Sequence, residues 1–151
     1  MRSELIMKKA CLLCDKSSCG YKTGCLAVLN GEILVEGFNE MLKGELYCQN
    51  GICSRKALGL NNGENPQIVC SIHAEASVIA QAANRGVSLC GCDIYVTTFP
   101  CLICARSLVK AGIKRLYYMS NYSDGNSSRS LFENNDIEVI NIKEDDVWGE
   151  K

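Results

Sequence analysis

The chain has 151 residues, 47% of them hydrophobic, with only two prolines; this supports a compact domain that buries roughly 70% of its unfolded surface and excludes a disordered protein. Sixteen Lys and Arg against 17 Asp and Glu leave a net charge of −1, so no basic field gathers nucleic acid and an anionic ligand must be met by a local site. No apolar run approaches the roughly 20 residues of a membrane span, and MRSELIMKKA lacks a signal-type apolar core. A cytoplasmic protein with no membrane or nucleic-acid partner is expected.

In chain order, residues 3–14 form a short helix, with Leu5, Ile6, Lys9, Leu12 and Leu13 in loosely helical spacing. CLAVLNGEILVEGF, residues 25–38, reads as two strands around Asn30-Gly31, a dipeptide that supplies the two positive φ angles of a tight hairpin turn. Residues 40–70 are polar, rich in Gly and Asn, and carry three cysteines; so long an excursion usually has a job. HAEASVIAQAAN, residues 73–84, is helical and is stopped by Arg85-Gly86.

DIYVTT, residues 93–98, is a strand, and CLICARSLVKAG is a helix with Pro100 suited to its first turn and Gly112 just past its end. KRLYYMS, 114–120, and IEVINI, 137–142, are further strands, and the acidic tail from Glu144 is expected to fray. This alternation predicts an α/β fold: a three-layer α/β/α sandwich with a mixed sheet of about five strands. The organisation expected is one domain over 1–151 with a Cys-rich insert at about 40–70, and with its two cysteine- and histidine-bearing helices side by side on one face.

Eleven cysteines in a reducing compartment point to metal or catalysis before disulfides. The only histidine, His73, opens one helix, and Cys101 and Cys104 open another. Both thiols of a Cys-x-x-Cys pair at a helix start project on one face, where the positive end of the helix dipole favours thiolate. An imidazole and two thiolates are three zinc ligands, the number found in catalytic zinc sites, whereas structural zinc is closed by four. Glu75, two residues past His73, sits beside such a metal and can move protons for a hydrolytic deamination.

His73-Ala74-Glu75 with Pro100-Cys101-Leu102-Ile103-Cys104 resembles the H-x-E and P-C-x-x-C signature of the zinc-dependent cytidine deaminase superfamily. KTGCLAVLNGEILVEGFN and GVSLCGCDIYVTTFPCLICARSLVKAGIKRLYY are similar to deoxycytidylate (dCMP) deaminases, including those known as late competence proteins, over roughly residues 8–142. The resemblance implies conversion of a pyrimidine nucleotide, dCMP, to dUMP with release of ammonia, a catalytic Zn2+, and a homo-oligomer, dimer or hexamer. Gly37-Phe38-Asn39 matches a family turn, which implies that Asn39 bonds the substrate's sugar hydroxyl. Glu40 stands where the family often has glycine, and Thr98-Phe99 replaces the usual His or Leu before the Pro-Cys pair.

Some dCMP deaminases hold a second, structural zinc; the resemblance makes Cys19, Cys48, Cys53 and Cys70 its ligand set here, with Cys11 or Cys14 able to replace one member. Ala74, between His73 and Glu75, and Tyr122, just after the strand at 114–120, are further candidate substrate contacts. Cys25, Cys90 and Cys92 read as small buried hydrophobes. Lys22, Arg55, Lys56, Arg106, Arg115 and Arg129 are the cations nearest the motifs, each more readily a solvated charge than a phosphate ligand. Three other readings stand beside this one: a deaminase of a free nucleoside or base such as cytidine, cytosine or guanine; a nucleic-acid deaminase acting on a flipped base, against which the net charge of −1 and the lack of a basic stripe speak; and a non-enzymatic zinc-stabilised module, in which Glu75 would be superfluous.

Overall fold

The computed structural model describes residues 2–44, 53–61, 64–65, 70–121 and 125–149. Helix α1 (Ser3–Leu13) buries Ile6, Met7, Ala10 and Leu13, spaced to lie along one face. Leu5 and Leu12 of the predicted helix point outward, 53% and 54% exposed. Strands β1 (Gly24–Leu29) and β2 (Glu32–Phe38) form the predicted hairpin, with Asn30 at φ 52 and Gly31 at φ 82, the pair of positive angles that a two-residue primed turn demands. A register shift between Ala27 and Val28 skips Leu34, a bulge in β2.

The insert contains only a four-residue helix among the described residues, α2 (Ser54–Ala57). The Arg55 guanidinium gathers the chain that follows by donating to the carbonyls of Asn61, Glu64 and Asn65. Helix α3 (Ala74–Arg85) is N-capped by His73 and ends on Gly86 at φ 66, as the Arg85-Gly86 pair predicts. Strand β3 (Asp93–Thr98) matches its predicted span, and helix α4 (Leu102–Lys110) begins one residue after its N-cap, Cys101. Pro100 thus precedes the cap and does not occupy the first turn.

Strand β4 (Arg115–Ser120) and strand β5 (Glu138–Asn141) are joined by a helix, α5 (Gly125–Glu133), absent from the sequence reading. Its sequence, GNSSRSLFE, is poor in strong helix formers; burial of Phe132, 0% exposed, overrides propensity. The tail does not fray over its described residues, 144–149. It forms a short helix, α6 (Glu144–Trp148), whose first-turn acids suit the helix dipole; Val147 is buried, and the Lys8 ammonium lies 5.0 Å over the Trp148 ring.

The sheet runs in the order β2-β1-β3-β4-β5, with β1 antiparallel to both neighbours and β3, β4 and β5 parallel. Period-2 alternation splits its side chains between two cores. Cys25, Ala27, Ile94, Val96, Leu116 and Tyr118 face α3, α4 and α5, whereas Leu26, Val28, Tyr95 and Tyr117 face α1 and α6. Tyr95 and Tyr117 stack with centroids 4.3 Å apart. These are the three layers expected.

Two fixed approaches tie helices to the hairpin. On β2, an edge strand, the Leu34 carbonyl accepts from Arg85 Nη1 at 3.0 Å and the Glu36 carbonyl from Gln81 Nε2 at 2.9 Å. On the other face, a Cβ at Gly24 would lie 2.0 Å from the Ala10 carbonyl oxygen and 3.1 Å from Leu13 Cβ. Gly24→Ala is expected to destabilise the fold by about 1–3 kcal/mol through overpacking, seen as a lower urea midpoint at unchanged slope. An unchanged midpoint would show that α1 can retreat freely from β1.

Candidate active site

The sheet register brings the helix starts that carry His73 and Cys101 to one place. Phe38 at the end of β2 pairs with Gly24 at the start of β1, and Cys25 beside it pairs with Val96 near the end of β3. The chain leaving β2 is joined to the chain entering α3 by a two-bond bridge, Glu40 N–H to the Ile72 carbonyl at 3.2 Å and Ile72 N–H to the Glu40 carbonyl at 2.9 Å. The chain leaving β3 reaches Cys101 through Phe99-Pro100. His73 and Cys101 are thereby the N-caps of α3 and α4.

Both caps have extended backbone and give their carbonyls to the first helical bond, from Ser77 N–H and Ala105 N–H, each at 2.8 Å. Neither side chain caps its helix, as a Ser, Thr, Asp or Asn in that position would. The side chains meet each other instead. His73 Nδ1 lies 3.6 Å from Cys101 Sγ and 3.4 Å from Cys104 Sγ. With Zn–S near 2.3 Å and Zn–N near 2.0–2.1 Å, a tetrahedral site has an N···S edge of about 3.6 Å, so the donor set fits zinc.

Among the described residues this is the only convergent group of three metal-ligating side chains, its ligand atoms within 4.8 Å of one another. No fourth described side chain joins it. Its protons are shared: the hydrogen bond from Cys104, helped by the imidazole, holds the Cys101 thiol down to about 4, while Cys101 and burial push the Cys104 thiol up. The bond to Cys101 raises the His73 imidazole against its own burial. Two sulfurs this close cannot both ionise without a positive charge between them, which a divalent cation supplies.

Glu75 is 4% exposed, and burial pushes its carboxyl up to about 7. It faces, with His73, Ala74 and Cys101, a small cleft of about 60 Å3. Asn39 also lines this cleft, yet its amide holds backbone: Oδ1 accepts from Thr23 N–H at 2.8 Å and Nδ2 donates to the Tyr21 carbonyl at 2.6 Å. One amide hydrogen and one lone pair remain for a ligand. Cys25 and Cys92 are buried as expected, but Cys90 is exposed.

The remaining walls were not legible in the sequence. Tyr21, Thr23, Thr98 and Phe99 complete the cleft, and the Tyr21 hydroxyl lies 3.4 Å from Thr98 Oγ1. Thr98-Phe99 stood out only as a departure from a family pattern. Tyr21 carried no signal, because its place depends on the distant Asn39. Of the other named residues, Cys19 and Cys53 are half-buried and Cys70 is buried, while Cys48 and Tyr122 lie outside the described residues.

A sequence model of the cytidine and deoxycytidylate deaminase zinc-binding region matches residues 1–120. The chain belongs to this family. It is 29% identical over 146 residues to ComE operon protein 2 of Bacillus subtilis, covering 96% of this chain and 73% of that protein. It is 26% identical over 174 residues to the deoxycytidylate deaminase of Enterobacteria phage T4, covering 94% of this chain and 90% of that one. Among solved structures, the dCMP deaminase of cyanophage S-TIM5 in complex with dCMP and dUMP superposes with a TM-score of 0.77 at 27% identity, over 94% of this chain and 99% of that chain.

The family's zinc-binding region includes the H-x-E and P-C-x-x-C segments, and their approach depends on Gly37. A Cβ there would lie 2.7 Å from the Ala74 carbonyl oxygen and 2.8 Å from Val78 Cγ2, so a side chain pushes away the helix start that carries His73. Gly37→Ala is expected to weaken zinc retention by about 10- to 100-fold, the scale of losses at residues that orient metal ligands. Competition against a chromophoric chelator measures it, and retention equal to the parent protein would contradict it.

Proposed function

We propose that the protein is a zinc-dependent hydrolytic deaminase that converts dCMP to dUMP with release of ammonia. The observation that carries this reading is a three-ligand His-Cys-Cys cluster sharing one cleft with a buried carboxyl that stands outside it. The name of the phage T4 relative, and the nucleotides bound to the cyanophage enzyme, support a nucleotide substrate. In this reading His73, Cys101 and Cys104 hold the zinc.

Zinc bound there supplies Lewis acidity that brings the pKa of water to about 7. Glu75 takes the proton released as the water oxygen bonds to the amino-bearing ring carbon and gives it to the adjacent ring nitrogen. It then takes the remaining proton of the newly added hydroxyl and passes it to the amino nitrogen as the carbon–nitrogen bond breaks and the carbonyl forms, so water and dCMP become dUMP and ammonia. A carboxyl raised to about 7 suits both accepting and donating at neutral pH. Asn39 offers its unused amide valences to the sugar, Ala74 presents the first N–H of α3, and Tyr122 is taken as a further substrate contact.

The same reading assigns a second, structural zinc to Cys19, Cys48, Cys53 and Cys70, because four thiolates can order an insert with few apolar residues. It also gives the protein a reducing cytoplasmic setting and a dimeric or hexameric assembly. No helix among the described residues is long and apolar enough to cross a membrane.

Glu75→Gln is expected to lower kcat by about 100- to 10,000-fold while zinc content stays unchanged; loss of zinc would mean that Glu75 ligates. Ammonia release compared across dCMP, CMP, deoxycytidine, cytosine and guanine tests the substrate, with dCMP expected to be fastest and a free base preferred if the reading is wrong. Metal analysis is expected to give two zinc ions per chain in the parent protein and one in Cys70→Ser. A single zinc in both would remove the second site.

A further inference from the structure

The cleft is walled in part by Tyr21, Thr23 and Asn39, which lie in chain outside any helix or strand. Residues so placed hold position only where specific bonds fix the backbone. Here the bonds converge on one peptide unit, the one joining Asn39 to Glu40. Its N–H, that of Glu40, donates at 3.2 Å to the carbonyl of Ile72, the residue before His73. Its carbonyl, that of Asn39, accepts from Ser17 Oγ at 2.6 Å. A trans peptide unit is planar, with N–H and C=O on opposite edges, so these two bonds together set the tilt of the plane.

The Asn39 side chain departs from that plane and carries its tilt into the cleft. Its Oδ1 accepts from Thr23 N–H and its Nδ2 donates to the Tyr21 carbonyl, while the Asn39 N–H donates to the Thr23 carbonyl at 3.1 Å. Tyr21 and Thr23 therefore follow wherever Asn39 goes. The Tyr21 hydroxyl in turn stands 3.4 Å from Thr98 Oγ1 at the same wall.

Ser17 lies outside the cleft and is 4% exposed. A buried hydroxyl costs free energy unless it is bonded, and this one both donates to Asn39 and accepts from Cys19 N–H at 3.2 Å. Its own N–H donates to the Cys14 carbonyl at 3.0 Å, closing the single turn Cys14–Lys16 that follows α1. The end of α1 is thereby linked through one side chain to the peptide that aims Asn39. Without the hydroxyl that peptide is held at one edge only, and the Asn39 amide can rock with it.

We infer that Ser17 is a positioning residue for the substrate, acting through the Asn39-Glu40 peptide to hold the Asn39 amide and the Tyr21 wall in place. The inference rests on the reading above in which Asn39 meets the substrate. Its effect falls on binding, because Ser17 bonds the Asn39 side of the cleft, whereas Glu75 is carried by α3 and Cys104 by α4.

Ser17→Ala is expected to raise KM for dCMP about fivefold, the scale of one neutral hydrogen bond, with kcat within about twofold of the parent protein. Ser17→Thr keeps the hydroxyl on an extended backbone, φ −74 and ψ 132, that suits a β-branched residue, and is expected to restore the parent KM. Amide exchange followed by NMR is the second measurement. In Ser17→Ala the Thr23 and Glu40 amides are expected to exchange about fivefold faster, while the Ile142 amide, bonded to the Tyr118 carbonyl between β4 and β5, keeps its rate.

An unchanged KM with a lower melting temperature, a loss in kcat alone, or equal acceleration at Ile142 would make Ser17 a general stabiliser and overturn the assignment. A parent protein that releases no ammonia from dCMP would remove the deaminase reading. Selective acceleration at Thr23 and Glu40 would then still retain Ser17 as the residue that sets Asn39, and its absence would remove that too.

Discussion

Two thiols, each 3.4–3.6 Å from one imidazole nitrogen and with all three ligand atoms within 4.8 Å of one another, carry an electrostatic demand that the chain alone cannot meet. Without a cation the cluster settles on one thiolate, with the second sulfur kept protonated beside it. With a cation both sulfurs ionise, and the three side chains become a rigid joint between two helices. The helix starts, the loops feeding them and the buried Glu75 behind them are all arranged around that demand.

The arrangement is built by backbone more than by side chains. The Glu40-Ile72 bridge fixes where the chain enters α3, Gly37 lets that helix start come within contact of β2, and antiparallel pairing of β1 with β3 sets the second helix start opposite. His73 and Cys101 then sit at cap positions, where a side chain leans out over the end of its helix. Leaving those caps without the usual hydroxyl or carboxylate forgoes about 1 kcal/mol each, a local cost that ligation of a metal would offset.

Much of this was readable in advance where a local rule governs. Asn30-Gly31 has few conformations compatible with two strands, DIYVTT alternates with period 2, and H-x-E with P-C-x-x-C carries its geometry in its spacing. Reading failed where distant packing decides. Helix α5 is written in Ser and Asn and exists because Phe132 finds the core, and α6 holds because Val147 and Trp148 meet α1. Asn39 was read as a ligand contact; its amide also ties the 21–23 loop to the hairpin, a task visible only once both ends are seen together. The cleft walls come from residues as far apart as Tyr21 and Phe99, which no window of sequence joins.

The edge of the sheet at β2 has a consequence for solubility. An unpaired strand margin is a template onto which another chain can add, the first step toward cross-β polymerisation. Here two outward carbonyls of that margin are already taken by Gln81 and Arg85, and Glu32 and Glu36 stand exposed along it. The helix that delivers the histidine therefore also seals the border against strand recruitment, so loosening it would expose the protein to self-association as well as disorder its metal centre.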